Sequence, residues 1–350
     1  MGGLVLVPAV IISTLLWAWL NQYIISLIII ILSFSIIGGI DDFAKVLQKR
    51  RILKGLEEKK SYSDKADGVS GTFRLLFELL TAFLVIGGLF WLSQGIDGHL
   101  HIPGIPEKWF FPELGYALFI PFAVFIIVGG ANAVNLTDGL DTLASVPIIT
   151  CSIFVVAAAY ISGDADWAEK LKIAYISADL KEVVIFAITL IATAVAFLKF
   201  NSPPASIYMG DIGSLGLGAA LCTMFVFVKA ELYLPLIGWP FVWAALSTIM
   251  QRLWFKIALK RKGREWASKH RLFFRAPYHH HMQALIHYRE TPHEVESVWH
   301  NLMVKFGMKE IPDEDKYLTR EQVNNKVIWS SHLRSITFLV ITMIIFFKVR

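Results

Sequence analysis

Nine long apolar runs divide the chain. Several of them approach or exceed the roughly 20 residues that a helix needs to cross a bilayer, and a backbone in lipid must satisfy its own hydrogen bonds, which favours helices. The sequence therefore predicts an all-α polytopic transmembrane bundle of about nine helices, forming one membrane domain over residues 1–350 with a large cytoplasmic segment at 257–333. The predicted spans are 4–20, 22–40, 74–95, 114–133, 142–162, 181–198, 212–229, 233–256 and 334–347.

The composition agrees with a membrane protein. Hydrophobic residues make up 55% of the chain and charged residues 17%, against about one quarter charged in soluble domains. The net charge of +5 fits loops that face anionic lipid and does not require a nucleic-acid partner. Cys151 and Cys222 lie inside apolar runs without the Cys-x-x-Cys spacing, so we interpret both as core residues.

Basic residues predict the orientation of the bundle, because cytoplasmic loops are enriched in Lys and Arg. The loop 96–113 is poor in basic residues and is expected outside, whereas 257–333 is rich in them. Strict alternation then places 41–73, 134–141 and 199–211 on the cytoplasmic face as well. The basic residues after the second predicted helix are Lys45, Lys49, Arg50, Arg51, Lys54, Lys59, Lys60 and Lys65.

Two adjacent carboxylates, Asp41 and Asp42, follow an apolar run, and Lys45 comes one helical turn later. Ionisable groups at a lipid boundary usually pair, bind an ion or take part in chemistry. An ordinary interfacial charge cluster, with Lys45 as an i, i+4 partner, is the alternative interpretation.

A second polar cluster begins at Asn132 and ends at Thr142. Asn135, Asp138 and Asp141 recur every three residues, so a tight helical turn would bring their oxygens to one side. Such hard oxygen ligands suit Mg²⁺, or a ribose and phosphate. A turn closed by its own Asx side chains is the alternative.

A third cluster runs from Asn201 to Asp211 and includes Tyr208 and Gly210. The glycine allows a close approach of backbone to ligand. Asp211 is predicted at a helix N-terminus, where carboxylates act as caps and where phosphates also bind. A plain helix cap would explain Asp211 but not the whole string.

Three consecutive histidines, His279, His280 and His281, lie in a segment rich in arginine. On a helix they point about 100° apart, so they cannot share one metal ion. We interpret them as hydrogen-bond donors to a phosphate or diphosphate, with a solvated loop as the alternative. Together the polar clusters predict a membrane-surface site for an anionic substrate and a divalent cation.

With these motifs the chain resembles the polyprenyl-phosphate N-acetylhexosamine-1-phosphate transferases, over residues 1–288 and again from about 325 to 350. Asp-Asp-x-x-Lys from Asp41, Asn-Ala-Val-Asn-Leu-Thr-Asp-Gly-Leu-Asp from Asn132 and Met-Gly-Asp-x-Gly-Ser-Leu from Met209 occur in the family's order. The triple histidine favours the branch that uses a muramoyl-pentapeptide donor.

The resemblance implies transfer of phospho-N-acetylmuramoyl-pentapeptide from UDP-MurNAc-pentapeptide to undecaprenyl phosphate. The products would be lipid I and UMP, in the first membrane step of peptidoglycan synthesis. It also implies an Mg²⁺ cofactor, a location in the bacterial inner (plasma) membrane with the site facing the cytoplasm, and a homodimer as the state common in the family. By motif position, the implied catalytic residues are Asp41, Asp42, Asp141 and Asp211, the implied magnesium ligands are Asp211 and Asn135, and the implied substrate-binding residues are Lys45, Asn132, Asn135, Asp138, Asn201, Tyr208, His279, His280 and His281.

Three departures from the family pattern keep alternatives open. The chain starts at the Met1-Gly2-Gly3 of a family motif, so we expect a further helix to precede it in the full protein. Thr142 replaces the glycine that normally follows the last motif aspartate, and the segment 289–324 is longer and more polar than usual. The alternatives are transfer of N-acetylglucosamine phosphate for another polymer, an inactive truncated paralogue, and a transporter, against which the clustering of the motifs at one interface argues.

Overall fold

The computed structural model of the chain describes residues 1–54, 69–93, 98–105, 112–286, 296–306 and 318–348. Lys59, Lys60, Lys65 and part of the polar segment 289–324 lie outside these residues. The helices are α1 (Gly3–Trp17), α2 (Gln22–Leu53), α3 (Gly71–Ser93), α4 (Tyr116–Thr137), α5 (Ser145–Ser162), α6 (Ala165–Leu171), α7 (Lys181–Asn201), α8 (Gly210–Phe227), α9 (Leu234–Ile237), α10 (Trp239–Lys262), α11 (Arg264–Lys269), α12 (Tyr278–Ile286), α13 (Val298–Lys305) and α14 (Arg320–Lys348). A 3₁₀ turn at Ala178–Leu180 precedes α7, and the two-residue strands β1 (His270–Arg271) and β2 (Glu296–Ser297) pair in parallel.

Among the described residues, seven helices are long and apolar enough to cross a membrane: α2, α3, α4, α5, α7, α8 and α14. The predicted all-α polytopic bundle is therefore confirmed. The other two predicted spans fall on α1, which has only 15 residues, and on α9 and α10, which meet at Gly238. Pro240, which lacks an N–H, is accommodated in the first turn of α10.

The polar segment after Ile40 is helical, where the sequence predicts a loop. Helix α2 continues through Asp41 and Asp42 and ends at Leu53. Residues 41–53 contain neither glycine nor proline, and Arg50 and Arg51 lie in the last turn, where cations favour the helix dipole. The aspartates are consequently fixed on a rigid helix.

Helix α8 is the centre of the bundle. Every residue from Ile212 to Phe227 is buried, and α8 packs against both α2 and α4. Small residues make this packing possible: a Cβ added at Gly216 would overlap the Ser35 hydroxyl, and one added at Gly218 would lie 3.1 Å from the Ala131 Cα. Helices in lipid associate largely through such close contacts between small residues.

The closest approach of α2 to α8 occurs at Gly38. A Cβ at this position would overlap the backbone oxygen of Asp211, so the two helices touch through their backbones. One residue later, a Cβ at Gly39 would lie 3.4 Å from the Ile212 side chain, which is ordinary contact. The Gly38 contact brings the polar end of α2 to the N-terminus of α8.

The substitution Gly38→Ala should destabilise the protein by about 1–3 kcal/mol, because the added methyl forces α2 and α8 apart. Gly39→Ala is the matched control, since it has the same helix propensity gain and no backbone clash. Thermal unfolding in detergent checks the difference. Equal melting temperatures for the two variants would contradict the proposed contact.

Candidate active site

Polar side chains from four helices meet at one end of the bundle. They come from the middle of α2, the start of α3, the end of α4 and the start of α8. Asp41 and Asp42 are buried to 4% and 8% exposure, although both carry a carboxylate. Buried carboxylates require partners, so the contacts of these groups define the site.

Lys45 joins α2 to α8 by bridging two carboxylates. Its Nζ atom lies 2.8 Å from Asp41 Oδ2 and 2.8 Å from Asp211 Oδ2. Arg74, from the first turn of α3, adds a second cation, with one guanidinium nitrogen 3.7 Å from the same two oxygens. Two positive charges thus offset Asp41 and Asp211 in a partly buried position, where removal of one partner would leave an unpaired charge.

Asp42 faces the N-terminus of α8. Its Oδ2 atom accepts a hydrogen bond from the backbone N–H of Ile212 at 3.3 Å. Gly210 has φ +74°, and a Cβ there would lie 2.9 Å from Asp42 Oδ2, so both the backbone conformation and the space require glycine. The free N–H groups of this helix end also favour negative charge.

Asn135 orients Asp211. Its amide nitrogen donates to Asp211 Oδ1 and to the Ser214 hydroxyl, both at 2.8 Å. The Ser214 hydroxyl in turn donates to the Gly210 carbonyl at 3.0 Å. Because Asn135 binds the carboxylate through its nitrogen, this geometry fits an orienting contact, whereas the family resemblance implies a metal ligand at this position.

Asp138 follows the last residue of α4 and lies close to the other carboxylates. Burial and the neighbouring charge of Asp211 raise the pKa of Asp138 to about 8, and Asp42 and Asp141 act in the same direction. Aspartates from three separate motifs therefore lie within electrostatic reach of Asp138.

Two hydrogen-bonding side chains, Asp141 and Asn201, connect the second polar cluster with the third. The Asp141 carboxylate accepts from the backbone N–H of Ala205 at 3.0 Å. Asn201, which is 2% exposed, accepts from the N–H of Thr142 at 2.7 Å and donates to the Ile207 carbonyl at 3.0 Å. Asn201 is thus in place to hold the two loops together.

Sequence reasoning missed Arg74 and Glu78. Arg74 donates to Asn132 Oδ1 at 2.7 Å, Asn132 donates to Glu78 Oε2 at 2.6 Å, and the Arg74 Nε lies 3.3 Å from Glu78 Oε1. Glu78 is fully buried. The sequence did contain a sign of this pair, because an Arg and a Glu four residues apart in an apolar span usually have a functional or structural role.

The three histidines have different surroundings. His279 lies against the motif glycine, since a Cβ on Gly139 would be 2.7 Å from its Nε2 atom. Burial and the neighbouring His280 lower the pKa of His279 to about 3, so its imidazole is neutral near pH 7. The Nδ1 atom of His280 lies 2.6 Å from the Gln283 side-chain oxygen.

His281 makes a packing contact in place of the predicted substrate contact. Its Nδ1 atom accepts from the backbone N–H of Phe274 at 3.1 Å, and its ring lies against Phe273 and Phe274. Burial, with a smaller contribution from His300, lowers the pKa of His281 to about 4. This imidazole therefore contributes to the packing of α12 against Phe273 and Phe274.

A cavity of about 260 Å³ lies beside His279, between α10, α12 and α14. Lys326 and Arg334 of α14 line it together with Tyr278 and the aromatic rings of Trp239 and Trp243. Two cations at an aromatic cavity beside His279 suit an anionic group. Neither cation was singled out from the sequence, since both lie in a segment without a motif.

Tyr208 is 63% exposed and borders a larger cavity of about 880 Å³, together with Phe200 and Gly210. Its backbone carbonyl accepts the N–H of Gly2 at 2.6 Å. The ring is accessible to a ligand, and its role in substrate binding stays a prediction.

The donor set fits a magnesium ion that is bound together with a phosphorylated ligand. Among the described residues, no group of three or more His, Cys, Asp and Glu side chains is arranged to hold a metal by itself. Mg²⁺ in phosphoryl-transfer sites, however, usually takes one or two carboxylates and completes its shell with phosphate and water. Asp211, in the first turn of α8, meets that requirement.

Comparisons with known proteins show the family to which the chain belongs. The profile of the family described as glycosyl transferase family 4 matches residues 24–229. The chain is 38% identical over 284 residues to the phospho-N-acetylmuramoyl-pentapeptide-transferase of Desulfotalea psychrophila, covering 81% of this chain and 71% of the relative. Proteins of the same name from Ruegeria pomeroyi and Neisseria meningitidis are 38% and 35% identical, with the same coverage.

The contribution of His281 to the free energy of unfolding should fall as the pH is lowered from 7.5 to 5.0; the buried His279 acts in the same direction, whereas Asp138, with its raised pKa, acts in the opposite direction. The pKa of His281 is about 4 in the folded protein against an ordinary 6.5, so between these values the unfolded chain takes up a proton that the folded protein does not. This one group should cost about 2 kcal/mol at pH 5 relative to neutral pH.

His281→Asn removes the titrating ring and keeps an oxygen that can accept from Phe274. The variant should therefore show a smaller fall in melting temperature over the same pH range. His101→Asn, far from α12 in the chain, is the matched control. If the unmodified protein and His281→Asn lost stability equally, the assignment would be wrong.

Proposed function

This chain belongs to glycosyl transferase family 4, and on that premise we propose that it is a phospho-N-acetylmuramoyl-pentapeptide transferase. It transfers phospho-N-acetylmuramoyl-pentapeptide from UDP-MurNAc-pentapeptide to undecaprenyl phosphate, which yields lipid I and UMP. Transferase relatives at 35–38% identity over 81% of the chain support this proposal.

The single observation that carries the proposal is the meeting of Asp41, Lys45 and Asp211 at one end of a membrane bundle. Lys45 lies within 2.8 Å of both carboxylates, and Asp42 lies at the N-terminus of α8 beside them. A reaction between two phosphorylated molecules, one soluble and one in the membrane, needs such a charged site at the membrane surface.

The reaction is a phosphoryl transfer in one displacement. An oxygen of the lipid phosphate attacks the β-phosphorus of the nucleotide sugar, the bond from that phosphorus to the bridging oxygen breaks, and UMP leaves with the bonding electrons. The lipid phosphate must be ionised to attack, and a phosphate monoester has its second pKa near 6. A carboxylate beside it would keep it ionised.

Asp42 fits this role better than Asp41. Both oxygens of Asp41 are engaged, because Oδ1 accepts from the Val69 N–H at 2.8 Å and Oδ2 pairs with Lys45. The Asp42 carboxylate makes a longer 3.3 Å contact to the Ile212 N–H at the end of α8. Lys45 is placed to offset negative charge on the diphosphate.

Asp211 would hold Mg²⁺ through Oδ2 once Lys45 turns from that oxygen to the diphosphate, and Asn135, which binds Oδ1, would keep the carboxylate in position. When bound, the ion supplies positive charge to the diphosphate oxygens. Arg74 holds Asp41 and Asp211 at their spacing through its contacts of 3.7 Å, while Asn132 and Glu78 fix the guanidinium.

We place the site on the cytoplasmic side of the bacterial inner membrane. Arg50 and Arg51 lie in the last turn of α2, just beyond the site, and Arg261 and Lys262 lie in the last turn of α10. Basic residues flanking membrane helices favour the cytoplasm, where nucleotide sugars are also present.

Purified protein in detergent should release UMP from UDP-MurNAc-pentapeptide when undecaprenyl phosphate and Mg²⁺ are both present. Release should stop when EDTA removes the cation, because the diphosphate charge is then uncompensated. UDP-N-acetylglucosamine serves as the comparison donor. Turnover with that donor and none with the muramoyl donor would overturn the assigned substrate.

The substitution Asp211→Asn should lower Mg²⁺-dependent UMP release by about 100-fold or more, because it removes the charge that would hold the cation. Asp164→Asn is the matched control, since Asp164 pairs with Lys181 at 2.7 Å outside the site. Circular dichroism should show an intact bundle for both. Unchanged turnover in Asp211→Asn would refute the metal assignment.

A further inference from the structure

A strained residue lies directly after Asp141. Among the described residues, three non-glycine residues have positive φ, and Thr142, at φ +60°, is the β-branched one. This left-handed conformation suits glycine and is an outlier for a β-branched residue, so it persists only where neighbouring groups enforce it. Thr142 is 6% exposed, which points to protein contacts as the cause.

Every polar group of Thr142 has a contact with a distant segment. Its N–H donates to Asn201 Oδ1 at 2.7 Å. The Nε2 atom of His332 lies 3.3 Å from the Thr142 carbonyl and 3.4 Å from its hydroxyl. A carbonyl oxygen can only accept, so His332 Nε2 carries the hydrogen and donates.

His332 comes from α14, which is 190 residues away in the chain and outside the part that the family profile matches. Its side chain is 8% exposed, and its ring meets Trp329 edge-on at 5.9 Å between centroids. The ring is thus held in a fixed position within the bundle. Its contact with Thr142, together with that of Asn201, fixes the loop between α4 and α5.

The consequence reaches the site through Asp141. The Asp141 carboxylate accepts from the Ala205 N–H at 3.0 Å, and Asp138, three residues before it, lies among the carboxylates at the start of α8. A rotation at Thr142 would move Asp141 away from Ala205. A displacement of about 1 Å in such a site is enough to lower turnover strongly.

We propose that His332 is a positioning residue that, together with Thr142, holds the Asp138–Asp141 loop in its reactive arrangement. In this chain the pair replaces the conformational freedom that a glycine would supply at position 142. The inference rests on the proposed function for its effect on turnover, but the coupling of the two residues is a property of the fold.

A double-mutant cycle with Thr142→Gly and His332→Phe tests the pair. In the otherwise unmodified protein, His332→Phe keeps a ring and loses the donor, so kcat should fall about tenfold or more while KM for the nucleotide sugar changes less. His332→Gln, which restores an amide donor, should recover most of the activity. In the Thr142→Gly background the same His332→Phe change should cost less than about threefold, because glycine adopts positive φ unaided.

The controls separate positioning from packing. Leu333→Phe alters the next residue of α14, which is 63% exposed, and should leave kcat unchanged. An equal loss from His332→Phe in both backgrounds, or no rescue by Gln, would overturn the proposal. So would a loss of stability in His332→Phe without any change in kcat, because that result indicates packing alone.

Thermal unfolding of the four proteins of the cycle tests the coupling without reference to turnover. The melting-temperature losses should be non-additive by about 2 °C or more, with His332→Phe less harmful in the Thr142→Gly background. If the melting-temperature losses were additive while the unmodified protein turned over normally, the coupling of His332 with Thr142 would be refuted and the proposed function would stand. Absence of UMP release from the unmodified protein would instead refute the proposed function.

Discussion

The site depends on the backbone contact between α2 and α8. Gly38 touches the backbone of Asp211, and this contact sets the distance at which Lys45 can bridge Asp41 and Asp211. In lipid the hydrophobic effect gives little drive for helices to associate, so close packing of small residues and polar contacts has to provide it. The same contact therefore stabilises the bundle and assembles its charged end.

The charged groups at this end of the bundle are unequally compensated. Asp41 and Asp211 are held by Lys45 and Arg74, whereas Asp138 is destabilised as an anion by burial and by the charge of Asp211. The lack of positive charge around Asp138 is the electrostatic condition that favours the cation we propose, bound with its phosphorylated ligand. The fold thus holds costly carboxylates where phosphoryl-transfer chemistry needs them.

The class of fold and the polar segments of the site could be predicted from the sequence alone. Apolar runs report burial in lipid locally, because each helix must satisfy its own backbone hydrogen bonds, and so the helices fall where hydropathy predicts them. The motif aspartates and asparagines were identifiable for the same local reason, since each interrupts or ends an apolar run. The extension of α2 to Leu53 could also have been predicted from the absence of glycine and proline.

Which of these residues meet depends on the packing of the helices around α8. The Lys45 bridge spans 166 residues and the His332 contact spans 190, and no local pattern encodes a contact between such distant segments. Arg74 anchors Asn132 from an apolar helix for the same reason. Of the three consecutive histidines, His279 lies beside Gly139 and His281 lies among phenylalanine rings, because successive residues of a helix face different neighbours. The side chains were visible in the sequence, but tertiary packing gave each of them its partner.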